Sequence, residues 1–80
     1  MGLWLLVGRW WDCHAAAFHS DPVWLAAVRN LETAFYREVP PTASEAEIRA
    51  WIAAQRRQGS AEHVVLLDNL ARGLATPWAL

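Results

Sequence analysis

The sequence contains no lysine and a single cysteine, Cys13, among its 80 residues. One cysteine excludes an intramolecular disulfide, a four-cysteine zinc site and paired-cysteine redox chemistry. Glycine and proline are scarce, four of each, and they form neither a phosphate-cradling glycine loop nor a glycine–serine elbow around a nucleophile. Charge is scarce as well. Only 19% of residues are charged, the formal net charge is −1 and the pI is near 6.2, which withholds the basic patch that nucleic acids and anionic membranes recruit. No apolar run approaches the ~20 residues that cross a bilayer. Leu3–Val7 resembles the beginning of a signal sequence, but Gly8 and Arg9 interrupt it and no basic residue precedes it. Leu6 stands where an N-myristoylation signal carries Ser or Thr. A cytoplasmic, reducing location and no membrane span are therefore expected, with no cofactor.

What is present is apolar and helix-prone. Apolar residues make up 55% of the chain, which excludes intrinsic disorder. Fifteen of them are alanine, the best helix former. Basic residues that are all arginine, together with that alanine content, suit a GC-rich bacterial or viral genome. The length allows one domain, residues 1–80. Six tryptophans are the most unusual feature.

Asp21-Pro22, Pro40-Pro41, Gly59-Ser60 and Thr76-Pro77 divide the sequence into four stretches of helix length. From Pro22 to Arg37, Asp21 can cap the helix and Pro22 fits its first position. Trp24, Val28, Leu31 and Phe35 recur there at one-face spacing. A second helix is expected from Ala46 to about residue 58. Ser44 and Glu47 have the spacing of a capping box, and Thr42 and Glu45 offer the same pattern two residues earlier; Ile48, Trp51, Ile52 and Gln55 share a face, and Gly59 is placed as a stop. A third, Ala61 to Leu74, is capped by Ser60. It carries a wide apolar face, with Val64, Leu67, Ala71 and Leu74 flanked by Leu66 and Leu70.

Leu3 to His19 admits two readings. As a helix it sets Leu3, Leu6, Val7, Trp10 and Ala17 on a core face, with Trp4, Trp11, Ala15 and Phe18 on the neighbouring one. As a β-hairpin it would turn at Gly8-Arg9. The alanines at 15–17 favour the helix, since a lone hairpin is marginal in water. The fold class expected is all-α, a compact bundle of about four short helices with short connections between antiparallel neighbours. Leu31 and Leu67 are expected in the shared core.

Asp12, Cys13, His14, His19 and His63 are metal-ligand types, but ligands on one helix converge only at i, i+3 or i, i+4 spacing. No cluster of positive charge surrounds Cys13 in sequence to make a reactive thiolate, so neither catalysis nor a metal is expected. Residues 46–58 and 61–74 can be read as a helix-turn-helix acting as a dimer, yet the second helix carries Glu62 and Asp68 against Arg72 alone, the wrong balance for phosphates. The tryptophans point elsewhere. Trp10, Trp24 and Trp51 are assigned to the core. Trp4, Trp11 and Phe18, at i, i+7 and i+14, form a second stripe. With Trp78 and the Arg56–Arg57 pair they are the candidate residues for binding another protein or a second copy of the chain. The function expected is a small non-catalytic interaction module: an adaptor, an accessory subunit, or an inhibitor of a larger complex of the kind phages and mobile elements carry. The alternatives are the DNA-binding dimer and a metal or redox role for Cys13 and the histidines.

Overall fold

The computed structural model describes residues 2–75, which form four helices: α1 (Gly2–Ala17), α2 (Pro22–Glu38), α3 (Glu45–Gln58) and α4 (Ala61–Ala75). The chain is an all-α bundle, with no strand among the described residues. The first segment is a helix, which corrects the hairpin alternative. A helix sets the adjacent Trp10 and Trp11 on one side and buries both, whereas a two-stranded ribbon would send them to opposite faces and leave one bare.

The helix ends are local chemistry. Asp21 accepts from the Trp24 N–H at 3.3 Å and Pro22 opens α2. At α3 the capping box is complete: the Glu47 N–H donates to Ser44 Oγ at 3.2 Å, and the Ser44 N–H donates to Glu47 Oε1 at 3.0 Å. The Ser44 N–H foremost, and then the Ser44 side chain, hold the Glu47 carboxyl below the ordinary glutamate range. At α4 a histidine takes the glutamate's place. The Ser60 N–H donates to His63 Nδ1 at 3.2 Å and Ser60 Oγ accepts from the His63 N–H at 3.4 Å. Gly59 ends α3 in an extended conformation, with φ −90°, not in the left-handed turn expected of a helix-stop glycine. Its small size answers a different need: a Cβ there would come within 2.5 Å of His63 Cβ.

The packing follows from two hairpins. α1 runs antiparallel to α2, with Trp4 beside Val39 at one end and Phe18 stacked on Trp24 at the other. α3 runs antiparallel to α4, Arg49 reaching the Ala71 carbonyl and Arg56 pairing with Asp68. α2 lies against α4 and joins the hairpins. One cluster of buried side chains from all four helices forms the core, with Val7, Trp11, Val28, Phe35, Ile48, Leu66, Leu67 and Leu70 at its centre. Leu31 and Leu67 are in it, as the helical periodicity predicts. The Cα radius of gyration is 11.6 Å, within the about 11–12 Å of a single packed unit of this length.

The buried side of α1 differs from the expected one. Val7, Gly8, Trp10, Trp11 and Ala15 are buried, Leu3 and Leu6 are half-buried, and Ala17 is exposed. The helix is rotated so that Trp11, expected on the second stripe, lies at the centre of the core. Small residues explain the rotation. Gly8 and Ala15 lie on the Trp11 side, and at Gly8 the Tyr36 hydroxyl of α2 comes within 2.6 Å of where a Cβ would sit, so α2 closes on that face. Burial leaves the Trp11 indole N–H without an acceptor, which costs about 1–3 kcal/mol against a far larger apolar area removed from water.

Candidate interaction surface

The rings of the molecule touch one another in sequence. Tyr36 meets Trp4 edge-on at 5.2 Å between centroids, Trp4 stacks on Phe35 at 6.0 Å, and Phe35 contacts both Trp11 and Trp51. Trp11 meets Trp10 edge-on at 4.8 Å, His14 stacks on Trp10 at 3.8 Å, and the chain of rings leaves the core through His14, Phe18 and Trp24. All eight Phe, Trp and Tyr side chains of the described residues belong to this one network. A domain of this size does bury several tryptophans: Trp10, Trp11 and Trp51 are in the core, while Trp4 and Trp24 are half-buried.

The second stripe expected on α1 is therefore not a single surface. Trp11 is 0% exposed and is not a surface residue, so Trp4, Trp11 and Phe18 cannot act together as an exposed patch. Trp4 is pinned by its indole N–H, which donates to the Val39 carbonyl at 2.8 Å and closes the end of α2 onto α1. Phe18 is half-buried and opens to the surface at the α1–α2 turn. Trp78 lies outside the described residues. Trp24, assigned to the core from its spacing, lies half-buried at the same turn as Phe18.

Arg56 and Arg57 part company. Arg56 Nε donates to Asp68 Oδ1 at 2.7 Å, with a second contact from Nη2 to Oδ2 at 3.2 Å. That two-pronged pair raises the Arg56 guanidinium and lowers the Asp68 carboxyl, the hydrogen bonds acting more strongly than charge alone. Arg57 is exposed and makes no ion pair among the described residues.

Each histidine is engaged by residues three or four positions away in the chain. His14 Nδ1 lies 2.9 Å from the Trp10 carbonyl and His19 Nδ1 lies 3.0 Å from the Ala16 carbonyl, while His63 completes the α4 cap. Cys13 is exposed. Among the described residues no group of three or more His, Cys, Asp or Glu side chains converges to hold a metal, and no helix is long and apolar enough to cross a membrane.

The surface that remains is the corner between α1 and α2. The Phe18 and Trp24 rings stack there at 5.4 Å and 20°, and Val23 between them in sequence is 60% exposed. The Asp21 N–H donates to the Phe18 carbonyl at 2.9 Å, closing the turn. Asp21 is the one charged residue from His14 to Val28, and its carboxylate is occupied by the Trp24 N–H. Sequence spacing assigned Phe18 and Trp24 to different faces because they lie on different helices. Only the tight turn between them unites them. No protein-family model, curated protein or solved structure matches the chain.

Proposed function

We propose that this chain is a small non-catalytic protein-interaction module, an adaptor, accessory subunit or inhibitor of a larger assembly, and that it meets its partner at the α1–α2 corner. One observation carries the reading: a stacked Phe18–Trp24 pair left half-buried beside an exposed Val23, in a stretch with almost no charge. Aromatic anchors dominate protein interfaces because they bring large area at little cost in side-chain freedom. Here the pair is also held in place, one ring at the end of α1 and the other in the capped first turn of α2. Two of the arginines are drawn onto carboxylates, Arg56 onto Asp68 and Arg49 onto Glu45 at 2.8 Å, which lends a nucleic-acid reading little support.

The test begins with capture of the partner from host extract on the immobilised protein and continues with affinities on the purified pair. Val23→Asp leaves the buried core untouched and is expected to weaken binding at least tenfold, as should Trp24→Ala once circular dichroism shows it folded. Arg56→Ala combined with Arg57→Ala should leave the affinity nearly unchanged. A partner that binds both corner variants like the wild type, and is lost with the arginine pair in a steeply salt-dependent way, would overturn the proposal in favour of nucleic-acid-type recognition.

A further inference from the structure

We infer that the outer face of α1 pairs with the same face of a second copy of this chain, antiparallel about a two-fold axis. This face is separate from the α1–α2 corner, so the inference does not depend on the partner proposed there.

The face consists of Leu5, Arg9, Asp12, Cys13 and Ala16, all exposed. They recur at i, i+4, i+7, i+8 and i+11 and so form one stripe on the side away from Val7, Trp11 and Ala15. Leu5 is 51% exposed, and Tyr36, laid over Gly8 one turn further on, is 44% exposed. These are two of the four large apolar side chains that the described residues leave exposed, and they border the same helix.

Charge supplies the specificity. Arg9 and Asp12 make no ion pair among the described residues, whereas Arg29 and Glu32, with the same spacing on α2, pair at 3.3 Å. Arg37, Arg49 and Arg56 also have carboxylate partners. α1 thus displays one positive and one negative group, one turn apart and neither in an ion pair among the described residues, Asp12 also acting electrostatically on Tyr36 of the same molecule. In an antiparallel pairing centred between residues 10 and 11, Arg9 faces Asp12 of the second copy, and by symmetry Asp12 faces its Arg9. The same register sets Leu5 against the short side chain of the second copy's Ala16, the large-on-small fit that lets helix axes approach to about 8–10 Å. Neighbouring registers are penalised. Centring on residue 9 opposes two arginines, centring on residue 12 opposes two aspartates, and a parallel pairing opposes like charges throughout. The face therefore favours this two-fold arrangement, the commonest symmetry of homo-oligomers. One helix face buries little area, so the association is expected to be weak and to depend on concentration and salt.

Sedimentation equilibrium from low micromolar to near-millimolar concentration, with a reductant present so that Cys13 cannot cross-link, tests this. The wild type should move from monomer toward dimer at low ionic strength and return toward monomer in molar salt. Arg9→Asp and Asp12→Arg, each placing like charges face to face, should weaken self-association at least tenfold. The double variant carrying both exchanges should recover it, because the pairing is restored with its signs reversed. Val23→Asp, at the other surface, should leave the dimer constant unchanged. A wild type that stays monomeric at the highest concentration overturns the inference. So does a dimer indifferent to either charge reversal, or one that the double exchange fails to rescue. Circular dichroism of each variant separates lost folding from lost pairing.

Discussion

Between α1 and α2 the contacts are made largely by rings: Trp4 on Phe35 and Tyr36, Trp11 on Phe35, Phe18 on Trp24. Between α3 and α4 they are aliphatic, with Ile48, Ile52, Leu66, Leu67, Leu70 and Leu74 buried and the Arg56–Asp68 pair fastened across the outside. The two hairpins are of similar length and share one core, yet they distribute their stabilisation differently. A ring concentrates a large buried area in one residue and prefers certain approach angles, so the first hairpin depends on few positions. The second spreads similar burial over several branched side chains, each replaceable at smaller cost, and adds charges that salt can screen.

Truncation should expose that difference most strongly. Trp11→Ala is expected to cost about 3–5 kcal/mol, and Leu67→Ala to fall toward the lower part of the about 2–5 kcal/mol seen for buried leucines. Urea unfolding followed by circular dichroism gives both values. Because a domain of this size has only about 5–15 kcal/mol in all, Trp11→Phe provides a folded fallback that keeps a ring and removes the unpaired N–H. Equal losses at Trp11 and Leu67 would erase the contrast between the hairpins.

Acid should produce the next effect and should act unevenly. Glu38 Oε2 accepts from Arg37 at 2.9 Å, and its Oε1 accepts from the Trp51 indole at 3.0 Å and from Gln55 at 3.2 Å. Arg37 foremost, and then the Trp51 indole, hold its carboxyl below the usual range. Glu47 is lowered by the α3 cap. A carboxyl depressed in the folded state contributes stability that is fully present above its unfolded pKa, about 4.3. That contribution is lost as pH falls through the lower folded value. Both groups act on α3, so hydrogen exchange at about pH 3 should accelerate in α3 before α1. Glu38→Gln should flatten part of the acid response. Uniform loosening of all four helices would show that the carboxylates do not divide the molecule.

The smallest effect belongs to the external pair. Arg56→Ala should lower the denaturation midpoint only slightly at low salt, and the difference should vanish in molar salt, as exposed ion pairs behave. A salt-independent loss would mean that the arginine stem, not its charge, supports α4.

Helix ends and three of the four buried faces were legible in the sequence, because caps and periodicity act over a few neighbouring residues. Asp21-Pro22 and the Ser44–Glu47 box announce α2 and α3, and Ile48, Trp51 and Ile52 fall inside as their spacing requires. In α1 apolar residues occupy more than half the circumference, and spacing alone takes the Leu3–Leu6–Trp10 side for the core and leaves the Trp4–Trp11–Phe18 side as a second stripe. What decides between them is subtraction, since Gly8 and Ala15 make room for α2. Small residues signal approach and not burial, and a hydrophobicity count passes over them. The corner was legible only by half, through Phe18. Its second ring belongs to the next helix, and their meeting depends on the geometry of a turn.

The unbroken file of rings also governs how the molecule can be watched. With indole and phenyl rings a few ångströms apart from Tyr36 through the core to Trp24, absorbed light migrates among neighbours before it is emitted. The fluorescence of the five tryptophans among the described residues therefore reports the network as a whole and no single one of them. Substituting one tryptophan will change the spectrum of the others, so emission changes in any variant need calibration before they are read as unfolding. Coincidence of fluorescence with far-ultraviolet dichroism then becomes a stringent test of whether both hairpins come apart together.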